Sequence, residues 1–484
     1  MIFQQYFLAC LSHASYLVGD ETSGRAVVVD PQRDVSGYLE DAERHGLRIE
    51  QVIETHFHAD FLSGHLELAA ATGAEICFGN GAEAAFPIRC LGDAEQLSLG
   101  EVSLEIRATP GHTPESISVV VYEHAGDDVP YGVLTGDTLF IGDVGRPDLL
   151  SANGQGAEEL AALLFHSIHE RLLSLPEATR VFPAHGAGSS CGKNLSSETW
   201  STIGEQRRTN YALRIASEGE FVTAVTAGQP VAPAYFPYDA HRNREQRDLL
   251  DDHAPPPGLS LEELVAAQGA GAVVLDTREP ADFARGHFRG SINVGLEGRF
   301  AEFAGNVLQP ADEVVLVCDP GHATEARVRL GRIGFDRVVG SLTGDVGEAL
   351  RAAPGGAARS TAVAAAVVAA VIELGEPPLA VVDVRNPPEL EGGRIPGSLN
   401  IPLSELVARL HEIPVDRPVV VHCASGYRSS IAASVLRRAG YGDVSDLSGG
   451  YEAWGRLSSG ADGPSAAGPL PGTLRALRGE APPG

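Results

Sequence analysis

Six cysteines spread over 484 residues are too few to staple a chain of this length. A disulfide framework is excluded, and each cysteine is read by itself. Positive charge is also short: 36 Lys and Arg face 64 Asp and Glu, giving a net charge of −28. That balance excludes nucleic acid and anionic membrane as partners. Long apolar runs are missing too. The longest, Ala362 to Leu374, is alanine-rich and falls short of the roughly 20 residues that cross a bilayer. The opening residues, Met1 to Cys10, contain neither a basic stretch nor a cleavage site, so they are expected to form a first strand and not a signal peptide. A cytoplasmic compartment follows as the expectation. What remains is 43% apolar and 21% charged, the composition of a globular chain, and its length suggests about three domains.

The most informative stretch runs from Glu54 to His65 and contains His56-Phe57-His58-Ala59-Asp60. A short β-branched strand, Ile49 to Ile53, precedes it, and a helix is expected over Leu66 to Ala71. Alternation along extended backbone sends His56, His58 and Asp60 to one side. Two imidazoles and a carboxylate suit a borderline cation such as zinc or iron. The chain then repeats one device. Strands at Val102 to Ile106, Tyr131 to Thr135 and Arg180 to Phe182 each end beside Gly or Pro and deliver His112, Asp137 and His185. Those residues read as one site assembled at a sheet rim.

His56, His58, Asp60, His112, Asp137 and His185 resemble the pattern of the metallo-β-lactamase superfamily, over roughly the first half of the chain. The resemblance implies an αβ/βα sandwich with metal at the sheet edges. The glyoxalase II type places a His directly after the Asp to hold a second zinc; here that place is Phe61. The persulfide dioxygenases of the superfamily are the nearer likeness. It implies one Fe(II) per chain on His56, His112 and Asp137, with zinc as the alternative metal. His58, Asp60 and His185 then serve as supporting groups or as second-metal ligands. His65, on the expected helix, is read as a packing residue or as a support behind the ligands. In the run from Thr135 to Asp148 the likeness assigns Arg146 to positioning the thiol substrate, as a guanidinium suits a carboxylate.

Among the cysteines, Cys10, Cys77 and Cys90 read as small core hydrophobes. Cys191 lies in the loop after His185 and is a candidate to face the substrate and receive sulfane sulfur.

Composition changes after Tyr235. The run Tyr235 to Arg244 resembles the closing segment of bacterial persulfide dioxygenases, and Pro255-Pro256-Pro257-Gly258 reads as a stiff linker. Beyond it the chain repeats. Val273 to Pro280 returns as Ala380 to Pro387, Gly286 to Asn293 as Gly393 to Asn400, and Val314 to Cys318 as Val419 to Cys423. Strand, helix and strand in matched order mean two α/β domains with parallel sheets. The expected organisation is 1–254, 255–352 and 361–457, separated by a flexible linker from Ala352 to Ala358 and followed by a disordered tail, 458–484.

In the second copy, Cys423-Ala424-Ser425-Gly426-Tyr427-Arg428-Ser429 follows a buried strand and opens a helix. Backbone N–H groups around the sulfur, with Arg428 and Ser429 beside it, stabilise a thiolate or an anionic sulfur ligand. Together with Asp383, Arg385 and Gly397, this loop resembles the rhodaneses, whose Cys carries transferred sulfur. The first copy keeps Cys318 but has Ala323 in place of Arg428, adds Asp319, and loses one donor to Pro320. It reads as a degenerate rhodanese.

The whole resembles bacterial persulfide dioxygenase–rhodanese fusions. That likeness implies oxidation of a glutathione- or coenzyme A-type persulfide by O2 to sulfite, followed by sulfur transfer to sulfite giving thiosulfate, in a homo-oligomer. Two readings compete: a zinc thioester hydrolase of the glyoxalase II type with accessory rhodaneses, and a sulfur-carrying scaffold without turnover.

Overall fold

The computed structural model describes residues 1–149, 156–353, 355–375 and 378–458. The expected tail after Ser458, and Pro354 of the second linker, lie outside the described residues. Contacts divide the chain into two units. The first spans Met1–Ala254 and takes in Gly331–Gly334, and the second comprises the rest.

The first unit holds two six-stranded sheets. Strands β1 (Ile2–Leu8), β2 (His13–Asp20), β3 (Arg25–Val29), β4 (Arg48–Ile53), β5 (Glu75–Gly79) and β6 (Arg89–Leu91) neighbour one another in chain order. So do β7 (Gln96–Ser98), β8 (Ser103–Ala108), β9 (Ile117–Tyr122), β10 (Gly132–Gly136), β11 (Arg180–Pro183) and β12 (Ser201–Thr202). Alternation gives each sheet two apolar faces. Val18, Val27, Val29 and Ile53 meet Leu104, Ile106, Val119, Val121 and Leu134 in one core between the sheets. The outer face of the first sheet takes Tyr38 and Ala42 of helix Ser36–Arg44 and Leu68 of helix His65–Thr72. The outer face of the second takes Leu164 of helix Ala157–His166 and Phe221 of helix Glu218–Thr226. The layers therefore run helix, sheet, sheet, helix, as expected of an αβ/βα sandwich.

Two cysteine expectations need correction. β1 stops at Leu8, so buried Cys10 belongs to the following turn and not to the strand. Cys90 is exposed: β6 is an edge strand, and alternation sends Leu91 inward and Cys90 out to solvent.

The second unit has two five-stranded sheets, parallel throughout. The first is built from β13 (Gly258–Leu259), β14 (Val273–Asp276), β15 (Ile292–Asn293), β16 (Val314–Val317) and β17 (Val338–Leu342), in spatial order β13-β17-β16-β14-β15. The other uses β18 (Thr361–Val363), β19 (Ala380–Asp383), β20 (Leu399–Asn400), β21 (Val419–His422) and β22 (Val444–Leu447), in the matching order β18-β22-β21-β19-β20. The central β16 and β21 are buried along their whole length, which explains their unbroken apolar runs. The longest apolar run of the sequence is divided between β18 and helix Ala365–Leu374, and among the described residues no helix is long and apolar enough to cross a membrane.

Candidate metal centre and reactive thiol

The turn after β4 is fixed by Asp30, at the end of β3. Its carboxylate accepts from Thr55 N at 2.7 Å and from Thr55 Oγ1 at 2.9 Å. With its proton committed, Thr55 Oγ1 accepts from His56 Nδ1 at 3.0 Å. Nε2 of His56 is left unprotonated, 3.9 Å from Asp137 Oδ2. His112 is set in the same way: its Nδ1 donates to Arg146 O at 2.8 Å, and its Nε2 lies 3.5 Å from Asp137 Oδ2. Burial pushes the His112 pKa down to about 4, so the imidazole is neutral and able to ligate at neutral pH.

Two glycines let these loops approach. Gly111 sits at φ +148, where a Cβ would fall 2.5 Å from Leu164 Cα. Gly136 sits at φ +51, where a Cβ would fall 2.5 Å from Thr55 Oγ1.

His56, His112 and Asp137 are all buried, with one ligand atom from each lying within 4.8 Å of the others. Ligand atoms held about 2.1 Å from a metal stand about 3–4 Å apart, so a small contraction closes this triangle. His56 Nε2 and both Asp137 oxygens are buried without a hydrogen-bond partner. Groups orphaned in that way are costly unless an ion satisfies them. Burial also raises the Asp137 carboxyl to about 7, an effect that a bound cation reverses. The residues fit a metal.

His58, Asp60 and His185 form a second buried group with ligand atoms within 4.8 Å. His185 Nε2 lies 3.4 Å from Asp60 Oδ2 and 3.5 Å from Asp137 Oδ1, so the Asp137 carboxylate stands between the two groups. His58 turns away from the first group: its Nε2 is 3.1 Å from Asp30 Oδ1 and 3.5 Å from Glu54 Oε2. Phe61 is fully buried, its ring centroid 4.5 Å from that of His58 and 4.1 Å from that of His13. His65 stacks on Phe86 and holds Glu54 at 3.3 Å, as packing requires.

Arg146 is buried and grips Asp148 with two bonds of 2.7 Å. It also donates to Ser190 O, while its main chain joins His112 to Cys191. Cys191 is buried with its sulfur within 4.8 Å of ligand atoms of Asp137 and His185, and burial pushes its thiol well above the ordinary range.

Sequence reading missed three residues here. His13 is fully buried, with its ring 5.8 Å from His58 and 5.6 Å from His185; nothing in a strand start such as Leu11-Ser12-His13 marks it. Asp30 does follow an apolar strand in the same manner as the ligands, and that signal was available. Asn243 is the third. Its Nδ2 donates to His58 O at 2.8 Å and Phe61 O at 2.7 Å, and its Oδ1 accepts from Ser63 N at 2.9 Å. Tyr235 adds a bond to Asp60 O, and Arg247 grips Glu67 and Ser63 O, so the segment from Tyr235 to Arg247 pins the ligand loop.

In the second unit Cys423 follows β21 and is buried. Gly426 N donates to its Sγ at 3.1 Å, and Ser429 Oγ lies 3.6 Å away. Gly426 needs its φ of +125 to open helix Tyr427–Arg438 at that point. Arg428 makes two bonds of 2.7 Å to Glu389. Burial acts to raise the Glu389 carboxyl, yet Arg428 holds it below its ordinary range. Cys318 contrasts with this. Burial pushes its thiol up to about 11, and Asp276 and Asp319 add to that rise. Helix Ala323–Gly331 begins with alanine where Arg428 stands in the other copy.

The comparisons with known proteins match these two chemistries. The family described as the metallo-beta-lactamase superfamily matches residues 8–185, and the rhodanese-like domain matches residues 260–349 and 367–457. The mitochondrial persulfide dioxygenase ETHE1 of Bos taurus is 34% identical over 218 residues, which cover 43% of this chain and 74% of that protein. A sulfurtransferase of Allochromatium vinosum is 47% identical over 75 residues, 16% of this chain and 70% of the relative. A metallo-beta-lactamase crystal structure from Staphylococcus aureus subsp. aureus COL is similar with a TM-score of 0.64 at 32% identity, over 71% of this chain and 99% of that one.

Proposed function

Since this chain belongs to the persulfide dioxygenases of the metallo-β-lactamase superfamily, extended by two rhodanese-like domains, we propose that it oxidises a low-molecular-weight thiol persulfide to sulfite and passes further sulfane sulfur to that sulfite. His56, His112 and Asp137 would hold one Fe(II), which would supply the redox chemistry that activates O2 toward a persulfide sulfur. The observation that carries this reading is the buried triangle of two imidazoles and one carboxylate, in which His56 Nε2 and both Asp137 oxygens have no hydrogen-bond partner, with Phe61 beside the neighbouring group.

The chain's own residues do the rest. Thr55 and the Arg146 carbonyl keep both imidazoles in the ligating tautomer. His58, held by Asp30 and Glu54, supports the pocket from behind. Arg146 sets the Cys191 loop, whose buried sulfur lies beside ligand atoms of Asp137 and His185 and is kept protonated by its burial. One persulfide, O2 and water give thiol, sulfite and two protons. In the second unit the Cys423 thiolate attacks the outer sulfur of another persulfide. The S–S bond breaks, the parent thiol leaves, and sulfite then takes that sulfur from Cys423 as thiosulfate. Gly426 N, Ser429 and Arg428 stabilise the anionic sulfur between those steps. Six free cysteines suit a reducing compartment such as the cytoplasm, and the reading extends to a homo-oligomer handling glutathione- or coenzyme A-type persulfides.

A second reading, zinc-dependent thioester hydrolysis, draws on the His58, Asp60 and His185 group sharing Asp137. Metal analysis of anaerobically purified protein with oxygen uptake on a glutathione persulfide separates the two. The expected result is about one iron per chain and oxygen consumption, both lost in His112→Ala. Two tightly bound zinc ions, thioester hydrolysis and no oxygen uptake would overturn the dioxygenase.

A further inference from the structure

The helix that opens behind Cys423 is held along one face by the first copy of the repeat. Tyr427 Oη donates to Gly295 O at 2.7 Å and lies 3.4 Å from Glu297 O, while its ring stands 5.4 Å from that of Phe303. Asn293, at the end of β15, donates its N–H to Ser434 Oγ at 3.0 Å and accepts from Ser430 Oγ at 3.4 Å. Its own amide is fixed by bonds of 2.9 Å to Asp276 O and Arg278 O. Arg438 donates to Gly290 O at 3.0 Å. Residues 427, 430, 434 and 438 are spaced by three and four, which is one stripe of a helix. In the first copy His322, standing where Tyr427 does, is exposed and pairs with Glu325 of the helix that follows it.

Tyr427 directly follows Gly426, whose N–H bonds the Cys423 sulfur. Moving the phenol therefore moves the donor that stabilises the thiolate. We propose that the first rhodanese-like copy, lacking a cation at its own thiol, acts as a positioning domain for Cys423. The carbonyls of Gly295 and Glu297, together with Asn293, hold helix Tyr427–Arg438 and so aim the backbone donors at the sulfur. The inference rests on the reading of Cys423 as the sulfur carrier. Tyr427 is a positioning residue, since it touches the loop and not the sulfur.

The test uses the full chain and the rate of Cys423 alkylation by iodoacetamide across pH, read by mass spectrometry of the Cys423 peptide. The charged and titratable groups around that sulfur are Arg428, Glu389, His422, Asp446 through Ser429, Glu302 of the first copy, and Tyr427 itself; of these only Tyr427 is altered, and burial pushes its phenol up to about 12, so it is neutral over the range measured. Tyr427→Phe removes one hydroxyl. Its alkylation rate at neutral pH should fall about fivefold, the effect of losing one hydrogen bond's worth of alignment, and its pH midpoint should rise. A merely structural role would lower the melting temperature without moving that midpoint. Ser434→Ala, outside the loop, should shift the midpoint in the same direction by less, and it carries the test if Tyr427→Phe does not fold. Parental rates and midpoints in both variants would overturn the proposal. Alkylation needs no natural sulfur donor. Were Cys423→Ser to leave thiosulfate output unchanged, the functional reading would fall while this measurement still decided the positioning.

Discussion

At the residue scale, the proposed one-metal reading turns on Phe61. Its ring packs against His58 and His13, with no solvent reaching it, beside an Asp60 and His185 that are otherwise ready to ligate. An aromatic hydrocarbon contributes bulk without lone pairs, so it favours the mononuclear centre by filling the space of a second ligand. Phe61→His is expected to raise the affinity for a second divalent ion and to lower oxygen uptake about tenfold, on the scale of changes made around a metal ligand. Metal content by elemental analysis, compared with the parent at matched ion concentration, checks it. Unchanged stoichiometry and activity would show that His58, already drawn toward Asp30 and Glu54, keeps the site mononuclear without help from the phenyl ring.

At the scale of elements, the ligand loop between β4 and helix His65–Thr72 does not hold itself. Three of its main-chain groups, His58 O, Phe61 O and Ser63 N, find their partner in the single carboxamide of Asn243. That side chain follows helix Phe236–Arg242, far along the chain. Asn243→Ala leaves those groups buried and unsatisfied, which costs about 3 kcal/mol. Denaturant unfolding should record that loss, and the metal should dissociate more readily because His58 and Phe61 line the pocket. Asn243→Asp keeps the acceptor for Ser63 N but loses the amide that donates to His58 O and Phe61 O, so it should recover little. A variant as stable and as metal-retentive as the parent would remove the clamp from this account.

For the whole molecule, the two thiols that follow β16 and β21 are the same residue in two electrostatic settings. Cys423 has a backbone donor and a neighbouring guanidinium, whereas Cys318 is pushed up to about 11 by burial and nearby carboxylates. Under the proposed function, dioxygenation alone would end at sulfite, because one persulfide carries one sulfane sulfur. Cys423→Ser is therefore expected to leave oxygen uptake in place while the product shifts from thiosulfate to sulfite. Cys318→Ser should change neither. The measurement is the sulfite-to-thiosulfate ratio at matched oxygen consumption, corrected for spontaneous reaction of sulfite with persulfide. Thiosulfate lost in Cys318→Ser and kept in Cys423→Ser would assign the working thiol to the other copy.

Much of the site was legible because its signals are local. Apolar runs mark the strands, and His56, His112, Asp137, His185 and Cys423 stand beyond their ends beside turn-forming residues, buried where loops converge. The internal repeat exposed the parallel sheets for the same reason, since register and burial follow from period and composition over a few residues. Identity alone could not say which imidazoles would face which carboxylate. His56 and His58 are two residues apart and chemically equal, yet Thr55 turns one toward Asp137 while Asp30 and Glu54 draw the other away. Cys90 looked as apolar as Cys77, but only its place on an edge strand sends it to solvent. Asn243 and Tyr427 take their roles from partners 180 and 132 residues away in sequence, Ser63 and Gly295, and His13 takes its role from His58, Phe61 and His185 on other loops. The sequence by itself determined which chemistries are present, because residue type and strand-end position are local. Tertiary structure alone decided which groups share a pocket, because buried hydrogen bonds between distant segments choose each side chain's direction.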